Sequence, residues 1–344
     1  MDALLAGGAP WPAAVAVSGG GDSIALMHLL AGWAKAARQA PPAVVTVDHG
    51  LQQGSAATAR AVARWAKQAG LESKVLRWRG PPPASGIEAA AREARYRLMG
   101  EWLRGRKLSA LYVGHTGDDQ AETFLLRLMR GSGLDGLSAM RPVAAWPVPG
   151  FAELAVVRPL LGLERGAVRD HLAVRKHAWI EDPMNGEDRF ARVRVRKLLP
   201  ALEDAGLSRA RIAAAAGHLA RAREALESVT AAVLSRAVRL RDAALHVDIA
   251  ALTAAPREVG LRALAQLLML VSGQAYRPRF ERLERLFDRL KDGKLGGGAT
   301  LHGCRLFMAP AGRGAFGAGT LAIVRESGRS DPSPAPHGAQ KRRN

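Results

Sequence analysis

The feature that most constrains this chain is an alternation along its first 115 residues. Short apolar runs at residues 13–17, 43–47, 74–78 and 110–113 are separated by longer segments with helical spacing. In one of these, Leu26, Leu29, Leu30 and Trp33 fall at i, i+3, i+4 and i+7, which makes one helix face. Strands that alternate with helices imply parallel βαβ units, so the expected class is α/β with a doubly wound, mostly parallel sheet. Ligands of such sheets sit beyond the carboxyl ends of the strands. Ser18, Asp48 and His115 each lie at or just past such an end, which predicts that their segments converge on one cleft.

The first strand-to-helix junction reads Ser18-Gly19-Gly20-Gly21-Asp22-Ser23. Glycines let a backbone approach a ligand closely and adopt positive φ. Amides that turn into a helix N-terminus form a nest for an anion, and Asp22 and Ser23 suit a helix start. No G-x-x-x-x-G-K-[ST] pattern is present, and no lysine stands near the loop. Such a loop suits gripping the pyrophosphate of ATP while the α-phosphate is attacked, better than holding a leaving γ-phosphate. Gly131, Gly133 and Gly136 spell G-x-G-x-x-G, but they follow a helical segment, the wrong context for a dinucleotide fingerprint.

Past residue 209 the pattern changes. Leu219, Leu226, Val229 and Val233 mark a long amphipathic helix with several arginines on its polar positions. A strand at 244–249, helices at 256–271 and 278–290, and strands at 300–301, 305–308 and 321–325 are expected to follow, with a tight turn at His302-Gly303. The expected organisation is therefore a catalytic domain over 1–210 and a smaller α+β domain over 211–327. The Pro-, Ser- and Gly-rich basic tail at 328–344 is read as disordered.

Charge narrows the partners. Among 344 residues, 50 Lys and Arg face 31 Asp and Glu, for a net charge of +19. That surplus fits a polyanion such as nucleic acid, and equally a solvated surface in an arginine-rich proteome. The single cysteine, Cys304, excludes an internal disulfide and a cysteine-rich zinc site. With no basic leader and no membrane-length apolar run, a cytoplasmic protein without membrane contact is expected.

Several further segments occur in order: "VDHGL" at 47–51, "GIEAAAREARY" at 86–96, "GHTGDDQAETFLLRLMRGSGLDGL" at 114–137, "RPLL" at 158–161 and "WIEDPMNGEDRFARVRVRKLLP" at 179–200. The glycine loop resembles the PP-loop of N-type ATP pyrophosphatases. The ordered set over the first 200 or so residues resembles the tRNA(Ile)-lysidine synthase family within that superfamily. The resemblance implies ATP, Mg²⁺, free L-lysine and a tRNA(Ile) with a CAU anticodon. The wobble cytidine would be adenylated at its C2 oxygen and then attacked by the lysine amine, giving lysidine, AMP and pyrophosphate. This sequence departs from the family pattern at Gln52, where Arg is usual, and at Val193, where Asn is usual.

On that basis Ser18, Gly19, Gly20, Gly21, Asp22, Ser23, Asp48 and His49 are expected at the nucleotide, although Asp48-His49 reads equally as a satisfied loop pair. Asp118 and Glu122, four apart on a helix, are assigned to the substrate lysine or to Mg²⁺, with Asp22 and Asp118 as the metal candidates. Thr116 and Asp119 are also spaced like a capping box. His115 is a candidate proton shuttle or phosphate contact. Glu88, Arg92 and Arg95 share a helix face, and the two arginines are expected at phosphates of ATP or tRNA unless Glu88 simply pairs with Arg92. Arg192, Arg194 and Arg196 line one face if they lie on a strand and spread around the axis if on a helix. Arg192 and Arg196 are the expected phosphate or adenylate contacts, with Arg196 also placed among the catalytic groups and Glu88, Asp119 and Arg194 among those expected to meet substrate or tRNA. Two rivals remain at this level, a PP-loop tRNA thiolase and a non-catalytic ATP- or RNA-binding protein. Oligomeric state stays open, a homodimer included.

Overall fold

A computed structural model describes residues 1–326 apart from 49, 51–53, 79–86, 182–190, 275 and 311. The chain divides into two compact units, Met1–Arg223 and Glu224–Asn344. His49, Gln52, most of the "EDPMN" segment and the 328–344 tail lie outside the described residues.

The first unit is built on a six-stranded sheet. Its strands are β1 (Ala14–Ala16), β2 (Ala43–Asp48), β3 (Ser73–Arg77), β4 (Ala110–Tyr112), β5 (Val143–Ala145) and β6 (Ala155–Val157), in the order β3-β2-β1-β4-β6-β5. All neighbours run parallel except β5, which pairs antiparallel with β6 at the edge. Ala14 of β1 lies opposite Ala43 on one side and Leu111 on the other, so β1 is central and its residues are buried or nearly so. A strand enclosed on both sides needs an unbroken apolar run rather than alternation, which is why β1 and β4 were legible as solid hydrophobic words.

Helices α1 (Asp2–Ala6), α2 (Gly21–Ala36), α3 (Ser55–Gln68), α4 (Ile87–Gly105), α5 (Gly117–Leu128), α6 (Leu134–Leu137), α7 (Arg165–Val174) and α8 (Ala191–Asp204) accompany the sheet. Ile24, Leu26, Met27 and Leu30 of α2 join Val15, Tyr112, Val168 and Leu172 in one core cluster, which fixes α2 between the sheet and α7. On the other side, Tyr96, Met99 and Leu103 of α4 pack with Leu111, Trp146 and Phe151.

The helix α9 (Arg209–Ala237) runs past the division between the units. The second unit has a five-stranded antiparallel sheet, β7-β8-β11-β10-β9, formed by β7 (Val238–Arg241), β8 (Ala244–Asp248), β9 (Ala299–Leu301), β10 (Cys304–Met308) and β11 (Thr320–Arg325). Helices α10 (Ile249–Ala254), α11 (Arg257–Ser272) and α12 (Phe280–Lys291) cover it through Leu264, Leu268, Leu283 and Phe287. The β9–β10 connection is the expected His302-Gly303 turn, with both residues at positive φ. No helix among the described residues is long and apolar enough to cross a membrane.

Candidate active site

The glycine loop leaves β1 and opens α2 at Gly21, with Gly20 at the N-cap position. Gly19 has φ +97°, and a Cβ there would lie 2.8 Å from the Thr58 methyl, so the position needs glycine on both counts. Ser23 Oγ donates to the Gly20 carbonyl at 2.8 Å, and the Ser18 amide donates to Ser23 Oγ at 3.2 Å. The Gly19 carbonyl accepts from the Ile180 amide at 2.9 Å. These bonds hold the loop in shape before any ligand arrives. Just beyond β4, Gly114 meets the same turn: a Cβ there would lie 2.8 Å from the Asp22 carbonyl oxygen. Glycine is required there so that the loop after β4 can touch the first turn of α2.

Asp22, on that first turn, has two unlike oxygens. Its Oδ2 accepts from Arg165 Nε at 3.1 Å, whereas Oδ1 is buried and meets no hydrogen-bond donor among the described residues. Burial raises its pKa, against the opposing pull of Arg165.

Arg165 is the centre of the site, and sequence reading did not single it out. Its guanidinium also reaches Glu122 Oε1 at 3.0 Å and Asp119 Oδ1 at 3.3 Å, while its backbone amide donates to Asp118 Oδ2 at 2.7 Å. Burial works against its charge, but Glu122, Asp119 and Asp22 together raise its pKa above the ordinary arginine value. Its meaning shows only once the helix that presents it is seen. Arg165 is the first residue of α7, where the helix dipole disfavours a cation, so its placement there needs acidic neighbours. Arg169, one turn on, was also missed. Its Cγ would lie 3.6 Å from a Cβ at Gly21, so α7 lays a second guanidinium stem against a loop that has no lysine of its own.

The carboxylates sit on α5. Glu122 is fully buried, and Arg196 of α8 grips it through Nε at 2.7 Å and a second nitrogen at 3.2 Å. Asp119 Oδ2 accepts from the Thr116 amide at 2.9 Å and from Thr116 Oγ at 3.2 Å, so the capping geometry and the site share one residue. Burial pushes the Asp119 carboxyl up, but the Thr116 amide, Arg165 and His115 bring it below the usual carboxylate range. Arg192 stands 3.8 Å from Asp119, and Arg209 stands 3.5 Å from Asp118. The strand-or-helix alternative at 192–196 resolves as helix α8: Arg192 and Arg196, four apart, face the carboxylates, and exposed Arg194 does not share their face. Val193 is buried in the same helix.

His115 is held neutral. Burial lowers its pKa most, with Arg158, Arg192 and Arg92 adding to the effect and Asp119 opposing it. Arg158 Nε donates to its Nδ1 at 3.3 Å, so the ring proton resides on Nε2 and the ring is a donor there.

Other expected residues have local partners of their own. Asp48 accepts from Ser55 Oγ at 2.6 Å and from the Gly50 amide, which makes it a loop-fixing group at the end of β2. Glu88 lies in α4, and its side chain is outside the described residues. Arg92 sits 5.0 Å over the Tyr96 ring, and Arg95 is partly buried with its pKa lowered by burial. The G-x-G-x-x-G segment follows α5, as its rejection as a dinucleotide site requires.

Among the described residues no three His, Cys, Asp or Glu side chains gather to hold a metal ion. Both Asp118 oxygens are engaged, by the Arg165 amide and by Arg209. Asp22 Oδ1, buried without a donor, is the one site carboxylate oxygen that suits a hard cation, and Mg²⁺ needs only one or two carboxylates when phosphates complete its shell. The arrangement can thus bind a phosphate chain at the α2 N-terminus beside a buried cluster of acids held by arginines.

The PP-loop domain family matches residues 10–202. The tRNA(Ile)-lysidine synthase of Wolbachia pipientis is 36% identical over 319 residues, covering 92% of this chain and 71% of that protein. The enzyme of the same name from Methylobacterium nodulans is 40% identical over 316 residues, covering 90% and 91% of the two chains. That from Bradyrhizobium diazoefficiens is 43% identical over 263 residues, covering 74% and 71%.

Proposed function

The chain belongs to the tRNA(Ile)-lysidine synthase family, and from that premise we propose how its own residues perform the reaction. It is an ATP-dependent ligase that joins lysine to C2 of the wobble cytidine of a tRNA(Ile) with a CAU anticodon, through an adenylated tRNA. The observation that carries the reading is the pairing of a lysine-free glycine loop with a buried acid cluster that arginines neutralise.

In the first step the amides of Gly20, Gly21 and Asp22, with the α2 dipole, hold the pyrophosphate end of ATP. Asp22 Oδ1 is the oxygen for Mg²⁺, which when bound neutralises charge on the departing pyrophosphate. Arg165 lies beside the same turn through Asp22, and the Arg169 stem lies against Gly21 while its guanidinium pairs with Glu181, so charge that develops between the α- and β-phosphates meets Arg165 first and Arg169 only if it leaves Glu181. Neutral His115 presents Nε2–H as a donor to a phosphoryl or adenylate oxygen, and a proton-accepting role would first require the opposite tautomer.

The second step needs a neutral amine. Lysine's ordinary pKa of roughly 10.4 makes deprotonation at pH 7 cost about 4–5 kcal/mol, at about 1.36 kcal/mol per unit. Asp118, Asp119 and Glu122 line the place assigned to the substrate lysine, and Arg165, Arg192, Arg196 and Arg209 already balance their charge, so little carboxylate charge is left there to favour an ammonium. Nearby cations disfavour an ammonium and so reduce that cost. The basic helix α9 and the second unit are assigned to tRNA, and no residue in either is assigned to chemistry.

The test is a reaction of purified protein with α-labelled ATP, CAU-anticodon tRNA(Ile) and lysine. Pyrophosphate release that depends on that tRNA, and lysine incorporation confined to it, are expected. The Asp22→Asn variant should lose adenylation at least about a hundredfold, as losing a transition-state electrostatic contact does, with its thermal midpoint within a few degrees of the parent. Folded protein that binds ATP yet incorporates no lysine would overturn the reading in favour of a binding protein.

A further inference from the structure

The site is electrostatically two-sided, with His115 at the division. On one side every arginine meets a carboxylate: Arg165, Arg192, Arg196 and Arg209 all do. On the other side stand Arg92 and Arg95 of α4, Arg127 of α5 and Arg158 just after β6, and among the described residues none of these four is ion-paired. Their partners are weaker acceptors. Arg127 donates to the Gly136 carbonyl at 2.7 Å, and Arg158 donates to the Arg141 carbonyl at 3.0 Å and to His115 Nδ1. Arg92 lies over the Tyr96 ring.

These cations also repel one another. Burial, then Arg92 and Arg127, lower the pKa of Arg158; burial, then Arg223 and Arg92, lower that of Arg127; burial, then Arg92, lower that of Arg95. Three partly buried guanidiniums held close without a counter-charge are a costly arrangement unless an anion completes it. A single phosphate does not match four cations contributed by three separate elements. A run of phosphodiesters does, and arginine forks suit phosphate oxygens.

We propose that Arg92, Arg95, Arg127 and Arg158 form a receptor for successive backbone phosphates of the RNA strand that carries the target base. Bound there, the strand lies along the cationic side, and its reacting base points past His115 toward the acid cluster and the glycine loop. These are positioning residues: they set where the base lies and make no contact with the reacting atoms, and Arg158 in addition orients the His115 ring. The inference rests on the proposed tRNA substrate and adds which surface grips it.

The test compares wild type with Arg92→Gln, Arg127→Gln and the charge-keeping Arg127→Lys. The affinity of CAU-anticodon tRNA(Ile) is measured by fluorescence anisotropy over a range of salt, and ATP affinity by equilibrium dialysis. Each Gln variant should weaken tRNA binding about tenfold, the scale of one charge-assisted hydrogen bond. Each should also flatten the log K against log salt slope by about 0.7–0.9, one phosphate contact. Arg127→Lys should recover most of the slope, and ATP affinity should stay within about twofold of wild type, well under one such bond. Weakened ATP binding with unchanged tRNA binding would reassign the cluster to the phosphates of ATP. Unchanged affinities for both in variants that melt like wild type would make the cluster internal only. Either result overturns the receptor while leaving wild-type lysine incorporation, and with it the proposed function, intact.

Discussion

At the scale of single residues, Arg165 carries more of the site than any other group. One guanidinium answers Asp22, Asp119 and Glu122, and the amide of the same residue answers Asp118. Glu122 is 1% exposed and Asp119 8% exposed at the side chain, so removing Arg165 strands charges that water cannot reach. Arg165→Met should destabilise the protein by about 3–5 kcal/mol, the scale for breaking a buried ion pair from one side, and should abolish activity. Arg165→Lys should recover little, because a single ammonium cannot span three carboxylates. Urea unfolding with a lysine-incorporation assay checks both, and a loss below about 1 kcal/mol would mean that Arg196 alone supports the acids.

At the scale of elements, an aromatic contact joins α2 to the residues just past α7. His28 of α2 stacks on His177, just past α7, with ring centroids 3.6 Å apart and planes 7° apart. Burial, then the neighbouring His177 and His171, lower the His28 pKa from 6.5 to about 4. Between those values the unfolded chain binds a proton that the folded stack refuses. The stability contributed by the stack is therefore complete above pH 6.5 and is lost as pH falls toward 4. Because α7 delivers Arg165 and Arg169, acid should loosen the site through this contact. Melting temperatures measured from pH 7.5 to 4.5 should fall less steeply for His28→Gln than for wild type, and parallel curves would exclude the stack as the cause.

The same elements mark what the sequence could convey. Strands β1, β2 and β4 stood out because central parallel strands are solid apolar words, the edge strand β3 stood out only by its short Val75-Leu76 core, and the last strands of the second unit stood out with their turn. The short β5 and β6 did not, since Ala155–Val157 has only three residues and draws its identity from pairing with β4. At the site, the glycine loop was legible because its local geometry demands glycine, and the α5 acids were legible through the family resemblance of their segment. Arg165 and Arg169 were not, because their meaning comes from an approach to Asp22 and Gly21 across more than 140 residues of chain. For Arg192, Arg194 and Arg196 the residue types were readable but not the face each occupies, which needed the helical assignment of α8.

At the scale of the whole molecule, thiol chemistry has no place. Cys304 is the one cysteine of the chain, it is fully buried, and its Sγ–H donates to the Leu268 carbonyl at 3.3 Å. Burial, with Glu326 adding to it, pushes its pKa up to about 11, so the thiolate that would attack or bind a cluster is scarce at neutral pH. Native protein should resist N-ethylmaleimide and keep full ligase activity, whereas protein in denaturant should label completely. Loss of activity on native alkylation would revive a thiolase-like reading.

The order in which the site is written along the chain has a consequence for how the protein can be made. The nucleotide loop is complete by Ser23 and the acid cluster by Glu122, but the cations that neutralise those acids arrive only with Arg165 and Arg196. A ribosome that has delivered residues 1–157 has synthesised every strand of the parallel sheet, yet the carboxylates destined for its interior have no counter-charge. The sheet of this enzyme is therefore finished in sequence well before it can be finished in energy, and the helices after β6 close the fold.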